Sequence, residues 1–565
     1  MPSPLLQLFQ HQASGGVRER LCSTLRMAIN RHHLHAGQKL PSSRQLAQDL
    51  QVSRVTVEAA YGQLESEGYL RRETGRGTFV AIIIPASPLS APIRPQSARF
   101  SARGQQVLAT GGCQDPPFPH AFAAGSPELR AFPHDSWRRL SSSVQRSLGC
   151  AAMGYGDPCG YLPLRSAGTF VAIIIPASPL SAPIRPRSAR FSARGQQVLA
   201  TGGCQDPPFP HAFAAGSPEL RAFPHDSWRR LSSSVQRSLG CAAMGYGDPC
   251  GYLPLRSALA DYLALSRGVA CQPEQVIILT SSQQALQLLA MMFVDPGDAV
   301  WMEEPGYPGA RNAFMAAGAQ VRGIEVDAEG AIPASGSAKL MYLTPSHHYP
   351  TGVTLSLPRR LAWLDWAQRN QGWLIEDDYD SEFHYDERPV PALQGLDRHQ
   401  RVITLGTFSK SLFPSLRLAW MVVPPALITP IGQARSVLDG HSALLPQAVT
   451  AAFLQQGHFA SHLRLMRQLY RSRRDRLLEQ IEQRLSPWMT PIASGGGLQI
   501  TVKINKDEAR LTALAAQQGL LLPRLSPLYA GPESQQGWLL GFAALTPDEI
   551  VAGCDKLLRL LQRED

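Results

Sequence analysis

What most limits the folding of this chain is that it contains a copy of part of itself. Residues 77–167 recur as residues 168–258, and the two stretches differ only at Gln96 and Arg187. Repeat architectures stack units of about 20–50 residues whose sequences have drifted apart. A long, irregular unit repeated almost letter for letter marks a recent in-frame duplication or an artefact of sequence assembly, not a solenoid. A single hydrophobic core has room for one of the two copies. Domain counting therefore starts from fewer than the 565 residues present, and the nine cysteines reduce to six distinct ones.

Apolar residues make up 44% of the chain and charged residues 17%, an ordinary globular balance that excludes a disordered tail protein. Apolar runs are short, such as Val80-Ala81-Ile82-Ile83-Ile84, which stops at Pro85. That is far short of the roughly 20 residues a membrane span needs. Met1-Pro2-Ser3-Pro4 lacks the charged start of a secretory signal. No CxxC pair or zinc spacing occurs, and His347-His348 are adjacent and not helically spaced. A reducing, cytoplasmic compartment is expected, without disulfides, bound metal or a membrane partner. Residues 1–80 hold ten Lys and Arg against six Asp and Glu, whereas residues 259–565 are slightly acidic. The basic excess outside the repeat points to a polyanion partner at the N-terminus.

Leu21 to Asn30 can form an amphipathic helix. Ser43 can cap a short helix that turns Leu46, Ala47 and Leu50 inward, and after Gln51-Val52, Ser53 can cap a longer one with Val57, Ala60, Tyr61 and Leu64 on one face. Two helices joined by a tight turn are the helix-turn-helix pattern. Arg54, Val55, Thr56 and Glu58 then stand where side chains enter a major groove. Tyr69-Leu70-Arg71-Arg72 and Gly77-Thr78-Phe79-Val80 can pair as a hairpin with Thr74-Gly75-Arg76 at its tip. Each arginine alone is more often a solvated residue than a DNA contact; caps, turn, helix and basic hairpin in one order reverse that reading. The stretch resembles the winged-helix domain of GntR-type regulators, through Leu40-Pro41-Ser42-Ser43-Arg44, Val52-Ser53-Arg54-Val55-Thr56-Val57, Ala60-Tyr61 and Gly68-Tyr69-Leu70. The resemblance implies double-stranded operator DNA as partner, contacted by Arg44, Ser53, Arg54 and Thr56, with Arg76 in the wing.

From Pro85 to about Phe118 the chain is rich in Pro, Ser, Ala and Arg and reads as a flexible or extended connection, repeated from Pro176 to about Phe209. Beyond Gly245, short apolar runs alternate with helical periods. Val276–Thr280, Ala299–Met302, Leu340–Leu343, Trp373–Ile375 and Val402–Leu405 read as buried strands, and Ser281–Met292 and Ser356–Arg369 as helices. This is an α/β pattern with a mostly parallel sheet and helices on both faces. Ligands in such folds lie beyond the carboxyl ends of the strands. There the chain places Ser281-Ser282-Gln283-Gln284 at a helix start, Glu376-Asp377-Asp378-Tyr379-Asp380, and Gly406-Thr407-Phe408-Ser409-Lys410 followed by Arg417. A helix start favours phosphate. A desolvated lysine can present a neutral amine. An acid, a lysine and a phosphate cradle are the parts that pyridoxal phosphate needs.

This region resembles a fold-type I aminotransferase domain in the version fused to GntR winged helices, the MocR family. Further marks are Tyr246-Gly247-Asp248-Pro249-Cys250-Gly251, Glu304-Pro305-Gly306-Tyr307, Thr344-Pro345-Ser346-His347 and Pro350-Thr351-Gly352. The resemblance implies pyridoxal 5'-phosphate as cofactor, with Lys410 as its Schiff-base lysine. It implies Asp377 on the pyridine nitrogen, Tyr379 on the ring hydroxyl, and Ser282, Gln283, Ser409 and Arg417 on the phosphate. Tyr307 would stack on the ring, His347 would lie near its face, and Tyr246 would reach the neighbouring subunit's phosphate, making a homodimer necessary. Three departures stand out. Tyr349 replaces the asparagine common before Pro-Thr-Gly, and Ser282 replaces a phosphate-loop glycine. The run Leu539-Leu540-Gly541-Phe542 lacks the arginine that often binds a substrate carboxylate, for which Arg524 is a candidate.

The expected organisation is a DNA-binding domain over 1–80, a linker over 81–117, a surplus copy with its second linker over 118–205, and an aminotransferase-like domain over 206–565. The second copy is expected to dock because its tether is shortest, leaving the first surplus. The expected function is a transcriptional regulator that senses pyridoxal phosphate or a small amino compound; the alternative is an active aminotransferase with an accessory DNA-binding domain.

Overall fold

The computed structural model describes residues 17–80, 98–111, 131–148 and 212–563, apart from positions 31–33, 36, 67–68, 74–75, 386–390, 493 and 532–533, together with the isolated positions 153–154 and 196. At the N-terminus lie α1 (Val17–Asn30), α2 (Ser43–Leu50) and α3 (Arg54–Ser66), then a hairpin of β1 (Leu70–Glu73) and β2 (Gly77–Val80). The cap of α2 is Ser42, one residue earlier than expected: its hydroxyl accepts from the Gln45 amide at 3.2 Å, and Ser43 already belongs to the helix. Ser53 caps α3, accepting from the Thr56 amide at 3.0 Å. Leu21, Leu25, Leu46, Leu50, Val57, Tyr61, Leu64 and Val80 close a separate small core. Each such side chain contributes about 1.5–3 kcal/mol by leaving water. Arg72 of β1 ties the wing to α3 through Glu58 and Glu65, at 3.2 and 3.3 Å.

The connection expected over 85–118 is not uniformly extended. Its residues 102–109 form α4 (Ala102–Ala109), which docks on the large domain. The Ser101 hydroxyl donates to the Met291 carbonyl at 2.6 Å, the Ala102 amide donates to Asp295 at 3.0 Å, and Phe100 lies 5.4 Å from Phe293. These are backbone and side-chain contacts that an apolar periodicity does not reveal. The first copy thus contributes a docked helix within the stretch expected as linker.

Two helices with the same sequence follow, α5 (His134–Leu148) in the first copy and α6 (His225–Leu239) in the second. Then come α7 (Leu253–Arg267), β3 (Val276–Leu279), α8 (Ser282–Phe293), β4 (Ala299–Glu304), α9 (Pro308–Ala317), β5 (Gln320–Asp327), β6 (Gly330–Ala331), β7 (Leu340–Leu343), α10 (Leu357–Asn370), β8 (Trp373–Asp378), β9 (Val402–Thr407), α11 (Phe408–Ser411) and β10 (Ala419–Val422). The eight-stranded sheet has the order β3-β10-β9-β8-β7-β4-β5-β6. Strands β9, β8, β7, β4 and β5 are parallel, while β10 runs antiparallel to both β9 and β3. Five of the strands, β3, β6, β7, β8 and β10, are buried at every position, as expected when helices cover both faces.

Beyond the sheet run α12 (Ile428–Asp439), α13 (Leu444–Gln455) and α14 (His458–Gln480). A smaller antiparallel sheet follows, of β11 (Met489–Pro491), β12 (Gln499–Ile504) and β13 (Gly537–Gly541), backed by α15 (Glu508–Gln517) and α16 (Pro547–Arg563). Second-copy residues Phe213, Phe223, Trp228 and Leu231 are buried in the core that this smaller domain shares with α7, α13 and α14.

Candidate functional site

Strand β8 delivers Asp377 at its carboxyl end, fully buried. One carboxylate oxygen accepts from the Tyr342 hydroxyl of β7 at 2.7 Å; the other has no hydrogen-bond partner. Burial pushes its pKa up to about 7, against the Tyr342 hydrogen bond, and Asp378 and Asp380 add to the rise. Such a carboxylate is set to receive a cationic N–H. On neighbouring β4, Glu303 is also pushed up to about 7 by burial, although it accepts from the Thr344 amide and hydroxyl at 2.8 and 2.6 Å. Asp378 is neutralised by Arg267 at 2.8 Å.

His347 follows β7. Its Nδ1 lies 3.1 Å from the Tyr379 hydroxyl and 3.2 Å from Asp380, and its Nε2 lies 2.8 Å from the Ser494 hydroxyl. Burial opposes its charged form, but Asp380 prevails and holds the imidazole above its ordinary range. Tyr349 stands edge-on between Tyr379 and Tyr307, with ring centroids 6.2 and 5.6 Å away.

Strand β9 ends at Thr407, whose hydroxyl accepts from the Ser409 amide at 3.1 Å and starts α11. Lys410 follows, half-buried, its amine donating to the Gly216 carbonyl at 2.8 Å. A side chain at residue 216 would put its Cβ 2.9 Å from that amine, and Gly216 has φ +67. Glycine is needed there on both counts. Phe213 pairs with Gly541 of β13, so the second copy builds one wall of the lysine's surroundings. On β3's side, Ser281 caps α8 by accepting from the Gln284 amide at 3.1 Å, and Gln283 donates to the Gly309 carbonyl at 2.9 Å, beside Tyr307.

The fold thus brings Asp377, Tyr379, His347, Tyr307 and Gln283 to neighbouring strand ends, with Ser282 beside Gln283 and Ser409 beside Lys410. Arg417 is exposed after α11 with φ 53, and among the described residues no hydrogen bond or ion pair joins it to that group. Tyr246 is 57% exposed, and its ring lies 5.8 Å from His441 in a separate cleft also lined by Asp248, Cys250 and Gln433. Arg524 is exposed and bridges to Trp538 instead. In the place of the carboxylate-binding arginine, Leu539 is buried with Leu525 and Leu528. Sequence reasoning missed Glu303, Tyr342, Gly216 and Ser494. Glu303 ends an apolar strand as Asp377 does and could have been found by the same sign.

On the winged helix, Arg44 and Arg54 are exposed and Val55 is 78% exposed. The Ser53 and Thr56 hydroxyls bond each other at 2.8 Å. Arg76 is exposed in the wing and pairs with Glu73 at 2.7 Å. Among the described residues no helix is long and apolar enough to cross a membrane, and no cluster of side chains could hold a metal.

Residues 220–557 match the family described as aminotransferase class I and II, and residues 18–80 match the bacterial regulatory proteins of the gntR family. The chain is 33% identical over 546 residues to the probable rhizopine catabolism regulatory protein MocR of Rhizobium meliloti, covering 96% of this chain and 93% of that one. It is 27% identical over 562 residues to the HTH-type transcriptional regulator TauR of Rhodobacter capsulatus, covering 97% of each. A kynurenine aminotransferase structure from Pyrococcus horikoshii aligns with TM-score 0.59 at 27% identity, over 67% of this chain and 96% of that one.

Proposed function

The chain belongs to the MocR-type GntR regulators, a winged helix joined to an aminotransferase class I domain, and on that premise we propose that it is an operator-binding transcription regulator that holds pyridoxal 5'-phosphate and senses it or an amino compound. We assign residues 1–80 to DNA binding and residues 206–565 to the cofactor domain, with the linker and surplus copy between. The observation that carries the reading is the buried, unpartnered oxygen of Asp377 across the strand ends from the Lys410 amine. A protonated pyridine nitrogen would complete that carboxylate. The α8 start, with Gln283 and Ser282, and Ser409 suit the phosphate; Tyr379 and Tyr307 suit the ring.

When bound, pyridoxal phosphate supplies an aldehyde that primary amines capture and a ring that withdraws electrons. The protein's own groups do the rest. Lys410 presents the amine, Asp377 keeps a proton on the ring, and His347 with Asp380 fixes the Tyr379 hydroxyl. Tyr246, exposed in one chain, is the group we assign to a partner subunit's site in a homodimer. An effector shifts the regulator only by binding its two arrangements unequally.

The test is binding of the purified protein to its own upstream DNA with and without pyridoxal phosphate. Borohydride should leave the cofactor covalently attached at residue 410. Lys410→Ala should still bind DNA while losing the response. A colourless protein with nothing fixed at Lys410 refutes the sensor. The second reading is a working aminotransferase, favoured by 29% identity to the 2-aminoadipate transaminase of Thermus thermophilus over 363 residues. The buried Leu539 speaks against it, and turnover of an amino donor with a 2-oxo acid would establish it.

A further inference from the structure

The berth filled by α6 has a second candidate occupant in the same chain. Helices α5 and α6 share the sequence HDSWRRLSSSVQRSL. In α6, Trp228 and Leu231 are each 8% exposed, and the Trp228 ring lies 5.3 Å from both Phe413 and Phe453. In α5 the equivalent Trp137 and Leu140 are 52% and 63% exposed. The helix that is not docked nevertheless has the local structure of the docked one. Phe132 to Trp137 is 5.8 Å where Phe223 to Trp228 is 5.7 Å. Arg138–Asp135 is 2.8 Å where Arg229–Asp226 is 2.9 Å. Docking it would require little refolding.

The two helices lie against each other at equivalent positions. The Ser142 and Ser233 hydroxyls, 91 residues apart and the same place in each copy, are 3.4 Å from one another. His134, which opens α5, is 3.6 Å from Cys241, just past the end of α6. The pair is therefore antiparallel about a local two-fold axis, and exchanging the roles of α5 and α6 regenerates the same contact. Loop closure does not choose between them either. The chain is anchored at α4, in the first copy, and at α7, which runs out of the second. Whichever helix docks between these anchors, one period of 91 residues is left over. Tether length therefore favours neither helix, because closure entropy depends on the length of the loop and that length is the same.

We propose that the α6 berth is an exchangeable docking site whose second occupant is the first copy's α5, with the preceding residues 122–133, so that the two registers are populated about equally. In the other register Gly125 takes the place of Gly216 beside Lys410.

The amides of Gly541 and Leu521 report occupancy, because they donate to the Phe213 and Ala212 carbonyls at 3.0 Å and lie outside the repeat. Hydrogen exchange at both is followed in the full chain and in Trp137→Ala, Trp228→Ala and the double variant. With two equal registers, losing either one halves the statistical weight of the docked states and so doubles the undocked fraction, and each single variant should exchange about twofold faster. The double variant, which damages both occupants, should exchange on the order of a hundredfold faster or more. If Trp228→Ala alone exchanges as fast as the double variant, or alone fails to fold, the proposal is overturned. Protection in Trp228→Ala that grows with protein concentration also overturns it, by assigning the second occupant to another molecule. Leu140→Ala and Leu231→Ala repeat the comparison should the double tryptophan variant not fold.

Discussion

At the scale of single residues, the candidate site is governed by Asp377. An acid whose folded pKa is raised to about 7 by burial binds its proton more tightly in the folded chain than in the unfolded one. Its contribution to stability is therefore full below the ordinary carboxylate range and is lost as pH rises through about 7. Asp377→Asn removes that dependence. In cofactor-free protein, the urea midpoint of the variant relative to the parent should rise between pH 4 and pH 7.5, by a free energy of up to about 4 kcal/mol, then level off. A flat difference would mean that the carboxylate is ionised throughout. Tyr342→Phe should push the same pKa further up, since the phenol stabilises the charged form, and should weaken pyridoxal phosphate binding about tenfold in a spectral titration. The placement of Lys410 and Asp377 at the ends of buried strands was legible because each stands at or shortly after a buried apolar run. Their partners were not. Tyr342 lies 35 residues from Asp377 and Gly216 lies 194 residues from Lys410, and nothing in either neighbourhood announces the pairing.

At the scale of elements, the winged helix was read nearly to the residue because its information is local: serine caps, a tight turn and a helical stripe. That locality also makes its prediction specific. Arg54 and Val55 are exposed at the start of α3, so Arg54→Ala should weaken operator binding by about 1–3 kcal/mol and relax specificity at one base position. Arg76→Ala, in the wing, should weaken binding to all sequences alike and lower the salt dependence by about one ion. Gel-shift titrations on operator and scrambled DNA at several salt concentrations separate the two. Elsewhere β3, β7 and β8, buried at every position, were legible as apolar runs, whereas β10, equally buried, was not read as a strand. Strand β5 was missed because it carries Arg322 and Glu325 and only Ile324 along it is buried. Helix α4 was missed because its docking rests on Ser101, the Ala102 amide and Phe100, none of which produces a periodic pattern.

At the scale of the whole molecule, the repeat is accommodated without disturbing either anchor. The first copy gives β2 and α4, the second gives α6 and the start of α7, and together they supply one complete period. Deleting residues 112–202 joins Gly111 to Gly203, which occupy consecutive places in the repeat. Any other in-phase deletion of one period gives the same sequence, except that one beginning at or before residue 96 leaves Arg187 in the place of Gln96. The one-copy chain should therefore keep both the cofactor site and the DNA-binding surface. It should also be more stable, since the tether between α4 and the berth becomes about tenfold shorter. Each doubling of a loop costs about 0.6 kcal/mol, so the gain is about 2 kcal/mol. It would appear as a higher urea midpoint with an unchanged slope, because the surface buried by the core is the same. A one-copy chain that loses pyridoxal phosphate or aggregates would show that the extra period is part of the working fold. In the one-copy chain, moreover, the tryptophan of the remaining helix has no substitute, so replacing it should have the full cost of an unfilled core position.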